Sequence, residues 1–421
     1  MGHSFHCHSG RCRRAVLGQQ PVTFRIKICP CLQNLADAAD SSPVKRLIAG
    51  VSRLNGMKAC LRWLIVLGWL WSAASGAASV VFISPGSETD GYWQSYSRVM
   101  QTAALTTGMS LKILYTDRDT RTLIAMARKT LQGDERPDYL LFSNELNVAP
   151  EILRLSIGSG VKLFAVNNTL TADQMRILGD LQVRYPDFIG SLVGNDEEGG
   201  YLTAKRLISL APRSTEGATV EMLAFSGTNT TAVSLLREKG MLRAVAEHPD
   251  VHLRQIVLSG WRRDRALEQA RVLFKRHPDI RLVWAANELM AFGAMEALRE
   301  RGGLPGRDMV FSAVNGTALS LQAQLNGSLS VVATGHFTLG GWAIILLHRY
   351  DATQPHARQP LGARTIDVVH LVEPQDTQRF LEAARNERYQ LDTRAFDAQA
   401  SGEKSPFSLK SMLPPAAQGS Q

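Results

Sequence analysis

RLVWAANELMAFGAMEALRER (Arg281 to Arg301) decides how this chain is read. RLVWA is a short apolar run that reads as a strand, and Ala286, Asn287 and Glu288 break it. From Leu289 the apolar positions recur at helical spacing through Phe292, Met295, Ala297 and Leu298, until Arg301 and Gly302 end the pattern. Asn287 then stands at the carboxyl end of a buried strand and at the start of a helix. Open α/β sheets hold ligands there, because the strand ends leave a crevice and the helix start offers unpaired amide donors. A helix N-cap alone also accounts for an Asn at that position.

The same alternation extends in both directions from this stretch. Upstream, strands are expected at 79–84, 111–115, 138–142, 161–166, 188–194, 219–225 and 251–258, separated by helical segments at 94–107, 120–131, 150–158, 197–210, 232–247 and 263–276. Downstream come strands at 308–314, 329–334 and 365–372, with helices at 318–325, 340–350 and 377–386. Strands joined by helices of about a dozen residues imply right-handed crossovers and parallel sheets. A polar interval from Asp173 to Asp187 divides the series into two comparable blocks, so the expected fold is α/β with two Rossmann-like lobes and a cleft between them.

The ends read differently. Met57-Lys58 and Arg62 precede an apolar stretch from Trp63 to Trp71 and then small residues to Ser79, the anatomy of a secretory signal peptide at 57–78. Its apolar part is too short to span a bilayer comfortably. Residues 1–56 are expected to be an upstream-start extension outside the mature protein, and 398–421 a flexible tail. All five cysteines (Cys7, Cys12, Cys29, Cys31 and Cys60) precede Ser79, so the remainder carries no disulfide and no thiol chemistry. His3, His6, Cys7, His8 and Cys12 resemble a metal set only by residue type; no metal and no cofactor is expected. Of the 47 basic and 38 acidic residues, ten and two fall in 1–78, leaving 37 and 36. The net charge of +9 is therefore no argument for nucleic acid.

Polar residues following the strands form one constellation. Asp90, Tyr92 and Trp93 follow the first strand, Asn167-Asn168 the fourth, Trp261 the run VHLRQIVL, Asn287 the opening strand, Asn315 the run DMVFSAV and His336 the run LSVVAT. Aromatic faces can sandwich the C–H faces of a sugar-like ring, while Asn side chains donate to and accept from its hydroxyls. Tyr92 and Trp93 also suit a core or hinge, and Asn315-Gly316 a plain turn.

From Ser79 to about Asn386 the chain resembles the type I periplasmic solute-binding proteins, the ribose-binding group, which share a fold with the effector domains of the lactose-repressor family. The resemblance rests on NDEEGGYLTAKRLI (Asn195 to Ile208), REKGMLRAVAEHPDV (Arg237 to Val251), HPDIRLVWAANELMAFGAMEAL (His277 to Leu298) and FSAVNGT (Phe311 to Thr317). It implies two lobes joined by a three-crossover hinge that closes on ligand, with 79–194 plus 336–360 as the N-terminal lobe and 195–335 plus 361–397 as the C-terminal lobe. By position, Asp90, Tyr92 and Trp93 match an aromatic first loop, Trp261 the aromatic of the second lobe, and Asn287 the ligand amide. Asn315 stands where sugar binders usually have an Asp, and Asn167-Asn168 replace an Asp-Arg pair. The usual sugar-binding Arg falls at Leu235, while Arg237 matches a second Arg that is more often structural.

Four function classes can be set against the sequence. The resemblance implies a monomeric periplasmic receptor that captures a small neutral sugar-like ligand and delivers it to the permease of an ABC importer. The same module could instead be a sensor docking on a membrane histidine kinase or cyclase. An enzyme fits poorly: Pro249 interrupts His248 and His252, and SIGSG (Ser156 to Gly160) ends a helix instead of starting one. A DNA-binding regulator is disfavoured because a secretory signal occupies the place of a headpiece.

Overall fold

A computed structural model describes residues 77–211 and 219–386. The expected extension at 1–56 with its His and Cys residues, the signal segment up to residue 76 and the tail at 398–421 lie outside the described residues.

The strands, in chain order, are β1 Ser79–Ser84, β2 Ser110–Tyr115, β3 Tyr139–Phe142, β4 Lys162–Val166, β5 Phe188–Gly194, β6 Val220–Ser226, β7 Val251–Leu258, β8 Ile280–Ala285, β9 Val310–Val314, β10 Val331–Thr334, β11 Gly362–Ile366 and β12 His370–Leu371. The α-helices are α1 Gly91–Thr107, α2 Thr120–Gln132, α3 Ala149–Ser156, α4 Ala172–Leu178, α5 Leu181–Arg184, α6 Asp196–Ser209, α7 Ala232–Ala246, α8 Arg263–Arg276, α9 Glu288–Glu300, α10 Ala318–Leu325, α11 Leu339–Ala352 and α12 Thr377–Asn386. They build two six-stranded sheets, ordered β11-β5-β4-β3-β1-β2 and β12-β10-β9-β8-β6-β7. Among the described residues only the short β12 runs antiparallel to its neighbour. The expected two-lobe α/β architecture is the observed one.

The inner strands are apolar because each sheet is covered on both faces there, while the edge strands β2, β7 and β11 carry exposed polar residues. In β1, Phe82 packs with Trp93 and Tyr96 of α1 and Trp342 of α11, while the adjacent Ile83 joins Leu123 of α2 and Ile152 of α3 on the other face. Each such large side chain taken out of water contributes about 1.5–3 kcal/mol. In the second lobe α6 and α7 cross in direct backbone contact: a Cβ at Gly200 would stand 2.0 Å from the Arg237 carbonyl oxygen, and one at Gly240 1.8 Å from that of Glu197. Two bare glycines thus fix the height of Arg237 in the lobe.

The chain passes between the sheets three times, after β5, after β10 and after β11. Asn195 joins the first and third passages. Its side-chain oxygen accepts from the backbone N–H of Val368 (3.0 Å) and Val369 (2.7 Å), and its own N–H donates to the carbonyl of Ile366 (3.1 Å). Buried backbone donors need such partners, and one side chain supplies two.

Three expectations change. The strand expected at 365–372 is two pieces: β11 lies parallel to β5 in the first sheet, and β12 pairs with β10 in the second. The chain therefore returns to the second lobe between Ile366 and His370, not at residue 361, because the buried Val368 and Val369 form the crossing itself. The polar interval after β4 holds the short helices α4 and α5. Finally, α1 starts at Gly91 instead of 94, because Asp90 caps it, accepting from the N–H groups of Tyr92 (3.0 Å) and Trp93 (3.3 Å).

Candidate functional site

A cavity of about 510 Å³ lies between the carboxyl ends of the two sheets, within the usual size range of ligand pockets. Asp90, Tyr92, Trp93, Asn167, Asn168, Trp261, Asn287, Asn315 and His336 all line it. The fold thus brings together every residue the sequence singled out. Their individual roles differ from one another.

Tyr92 and Trp93 sit in the first helical turn of α1 instead of in a loop. Trp93 is a core residue, 1% exposed and packed on Phe82 and Tyr96. Tyr92 reaches the cavity, stacks on His336 with ring centroids 4.7 Å apart, and donates its hydroxyl to Asn167 Oδ1 at 2.7 Å. Trp261 stands on the opposite lobe with φ +66°, next to Gly260, also in the left-handed region. That conformation turns the chain sharply at the end of β7 and sets the indole against Gly227, where a Cβ would lie 2.2 Å from the ring. The Trp261 Nε1–H is buried and has no hydrogen-bond partner.

The four asparagine oxygens are engaged. Asn167 Oδ1 accepts from Tyr92, and Asn168 Oδ1 accepts from the N–H of Val233 (3.0 Å), a bond that ties the first lobe to the start of α7 in the second. Asn287 Oδ1 caps α9 through the N–H of Met290 (2.9 Å) while its Nδ2 donates to the carbonyl of Trp261 (3.2 Å). The cap reading and the cavity reading of Asn287 therefore both hold, and the same amide braces the Trp261 loop. Asn315, with φ +115°, accepts from His336 Nε2 at 2.7 Å. That contact makes Nε2 the protonated nitrogen of a neutral ring. Burial, with Arg237 nearby, holds the His336 pKa well below the ordinary histidine value, and its Nδ1 is left without a partner.

The charged groups are mostly matched. Asp90 pairs with Arg118 at 3.0 Å. Arg237 was the residue undervalued from sequence: it lines the cavity, its guanidinium binds Asp196 at 2.8 Å with both side chains nearly fully buried, and it donates to the carbonyl of Ala286 and lies 6.0 Å from the Trp261 ring. Leu235, where the resemblance puts the sugar-binding Arg, is 45% exposed and lies outside the cavity lining. Helical spacing gives the reason: Val233, Arg237, Gly240, Met241 and Ala244 form the buried face of α7, and position 235 falls on the other side. Glu288 was also missed. It is 3% exposed, accepts from the Thr317 hydroxyl at 2.7 Å, and burial pushes its pKa up to about 7. Glu145 is likewise raised by burial. Among the described residues no group of three or more His, Cys, Asp or Glu is placed to hold a metal ion.

Comparison with known proteins agrees with this geometry. A family model described as periplasmic binding protein domain matches residues 80–352. A solved periplasmic sugar-binding protein from Pseudomonas fluorescens is 44% identical, covering 79% of this chain and 98% of that one with a TM-score of 0.68. The galactofuranose-binding protein YtfQ of Escherichia coli is 24% identical over 33% of this chain and 45% of its own length. The D-apiose import binding protein of Actinobacillus succinogenes is 23% identical over 40% and 53%. The chain thus spans about half the length of the curated relatives it matches.

Proposed function

The chain belongs to the periplasmic binding protein family, and from that premise we propose that it is a periplasmic receptor that captures a small neutral sugar between its lobes and delivers it to an ABC importer. The observation that carries the reading is the cavity at the strand ends, walled by Tyr92 on one lobe and Trp261 on the other. Two aromatic faces offer the C–H faces of a sugar ring a sandwich. Around them the remaining amide hydrogens of the asparagines and Arg237 donate, while the Tyr92 oxygen accepts. Hydroxyl groups satisfy both kinds.

A neutral ligand is supported by the pairing of two charged groups at the cleft: Asp90 is matched by Arg118 and Arg237 by Asp196, so a charged ligand would have to break one of these pairs or leave a buried charge unbalanced. The names of the relatives point the same way, toward binding proteins for sugars and away from enzymes. The Asn168 contact with Val233 joins the two lobes, and closure about the Asn195-linked crossings would present one joined surface to the permease.

Titration calorimetry of the purified protein against neutral pentoses, hexoses and polyols tests this. One of them is expected to bind with a saturable one-to-one heat and, at a hundredfold excess over Kd, to stabilise the protein by about 2.7 kcal/mol. Absence of binding across the whole set overturns the reading.

A further inference from the structure

Two further cavities adjoin the one between the strand ends, the first reaching Asp119 and Arg265 and the second Arg262 and Leu267. Arg118 of the first lobe and Trp261 of the second line all three. These two side chains, one from each lobe, form the partition along this flank of the cleft.

Both stand in turns bent the same way. Asp117 and Arg118 have φ of +47° and +57°, and Gly260 and Trp261 have +61° and +66°. Glycine takes such angles freely, whereas for an arginine the conformation is strained and persists only where its surroundings impose it. The end of β1 imposes it on Arg118. The N–H of Asp117 donates to the Gly86 carbonyl (3.1 Å) and that of Arg118 to the Pro85 carbonyl (2.6 Å), while the Thr116 hydroxyl donates to the Ser84 carbonyl (2.9 Å). The turn carries Arg118 back over β1, where its Nη2 donates to Asp90 Oδ2 at 3.0 Å.

Each oxygen of Asp90 thus has its own task. Oδ1 accepts from the N–H groups of Tyr92 and Trp93 at the start of α1, and Oδ2 is held by Arg118. A carboxylate anchored at its far oxygen caps a helix in one orientation, whereas a free one turns about its side-chain bonds. That cap sets the first turn of α1, and with it the Tyr92 ring that stacks on His336 and bonds Asn167. Burial raises the pKa of Glu145 in the same wall; the Arg118 charge opposes that rise and Asp90 adds to it. Without the cation, two acids would face each other unbalanced beside the Tyr92 turn.

Resting on the sugar reading of the cleft, we infer that Arg118 is a positioning residue of the binding site: held in a strained turn, it anchors Asp90 and through Asp90 fixes the Tyr92 ring against which the sugar stacks.

Three variants test this. Arg118→Met keeps a long side chain and removes its charge and donors. Arg118→Lys keeps a donor for a contact that uses one, and Arg262→Met breaks the exposed pair with Asp264 beyond the partition. Crystal structures of the unliganded proteins read the ring, and titration calorimetry with D-galactose and L-arabinose reads the binding. Arg118→Met is expected to move the Tyr92 hydroxyl out of hydrogen-bond distance of Asn167 and to weaken a sugar that binds the parent about tenfold. Its thermal unfolding should stay within about 2 °C of the parent, because the ion pair is partly exposed. Arg118→Lys is expected to restore the ring and most of the affinity, and Arg262→Met to change neither. A Tyr92 ring unmoved in Arg118→Met, or moved equally in Arg118→Lys, overturns the positioning role, as does a loss confined to thermal stability. If neither sugar binds the parent, the ring position alone decides the role of Arg118, and the wider set of pentoses, hexoses and polyols decides the sugar reading.

Discussion

Replacing Arg237 by Met tests how the second lobe presents the cleft. The guanidinium and the Asp196 carboxylate are 4% and 2% exposed, in contact at 2.8 Å, and Arg237 also satisfies the Ala286 carbonyl. Removing one partner of such a pair leaves a buried carboxylate without its cation, which costs about 3–5 kcal/mol. At about 2 °C per kcal/mol for a unit of this size, thermal unfolding should fall by about 6–10 °C. Three features separate this origin from simple loss of packing. The deficit should shrink as pH falls, because burial raises the Asp196 pKa and a protonated Asp196 no longer buries a charge. Adding Asp196→Asn should restore much of the loss. Arg271→Met, which breaks the exposed pair with Glu300, should cost less than about 1 kcal/mol. Urea unfolding and differential scanning calorimetry read all of these. An Arg237→Met variant within about 1 kcal/mol of the parent, flat with pH and unaffected by Asp196→Asn, refutes the argument.

The remaining predictions concern the cleft. Glu288 has a folded-state pKa near 7 against an ordinary 4.5, so its stabilising contribution is fully present below about pH 4.5 and is lost as pH rises through about 7. Glu288→Gln should flatten that slope, which is worth at most about 3 kcal/mol, in unfolding curves taken from pH 4.5 to 8. Asn168→Ala removes the bond to Val233 that joins the lobes and should weaken sugar binding about fivefold, or roughly 1 kcal/mol, by calorimetry, and lower stability by about 1–3 kcal/mol because the buried Val233 N–H loses its acceptor. Asn287→Ala should lose about 1 kcal/mol of stability with the α9 cap, and also lower affinity by loosening the Trp261 loop; a change in affinity alone would deny the cap its role.

Periodicity made the sheets legible. Arg281 to Arg301 reads as strand, turn and helix, and the structure has β8 at Ile280–Ala285 and α9 at Glu288–Glu300. The helix start after β8 could be found because capping is local: Asn287 bonds to the amide three residues on, and the same local signal at Asp90, bonded to the amides of Tyr92 and Trp93, is passed over when α1 is expected to start at 94. What sequence did not reveal depends on partners distant in the chain. The run at 365–372 is rich in β-branched residues, and nothing within it says that Asn195 pins its middle as a crossing. Likewise the ring nitrogens of His336 and the amide of Asn168 take their roles from Asn315 and Val233, on the other lobe. Arg237 was nearly legible. Had the buried face of α7 been traced through Val233, Gly240 and Ala244, it would have pointed inward and Leu235 outward.

The central claim is that a sugar ring is held between Tyr92 and Trp261, one from each lobe. A crystal structure of the protein with the tightest-binding sugar from calorimetry tests it most directly. The account expects the ring stacked between these two side chains. A sugar bound elsewhere on the protein, or in the cleft with neither Tyr92 nor Trp261 against its ring, contradicts it.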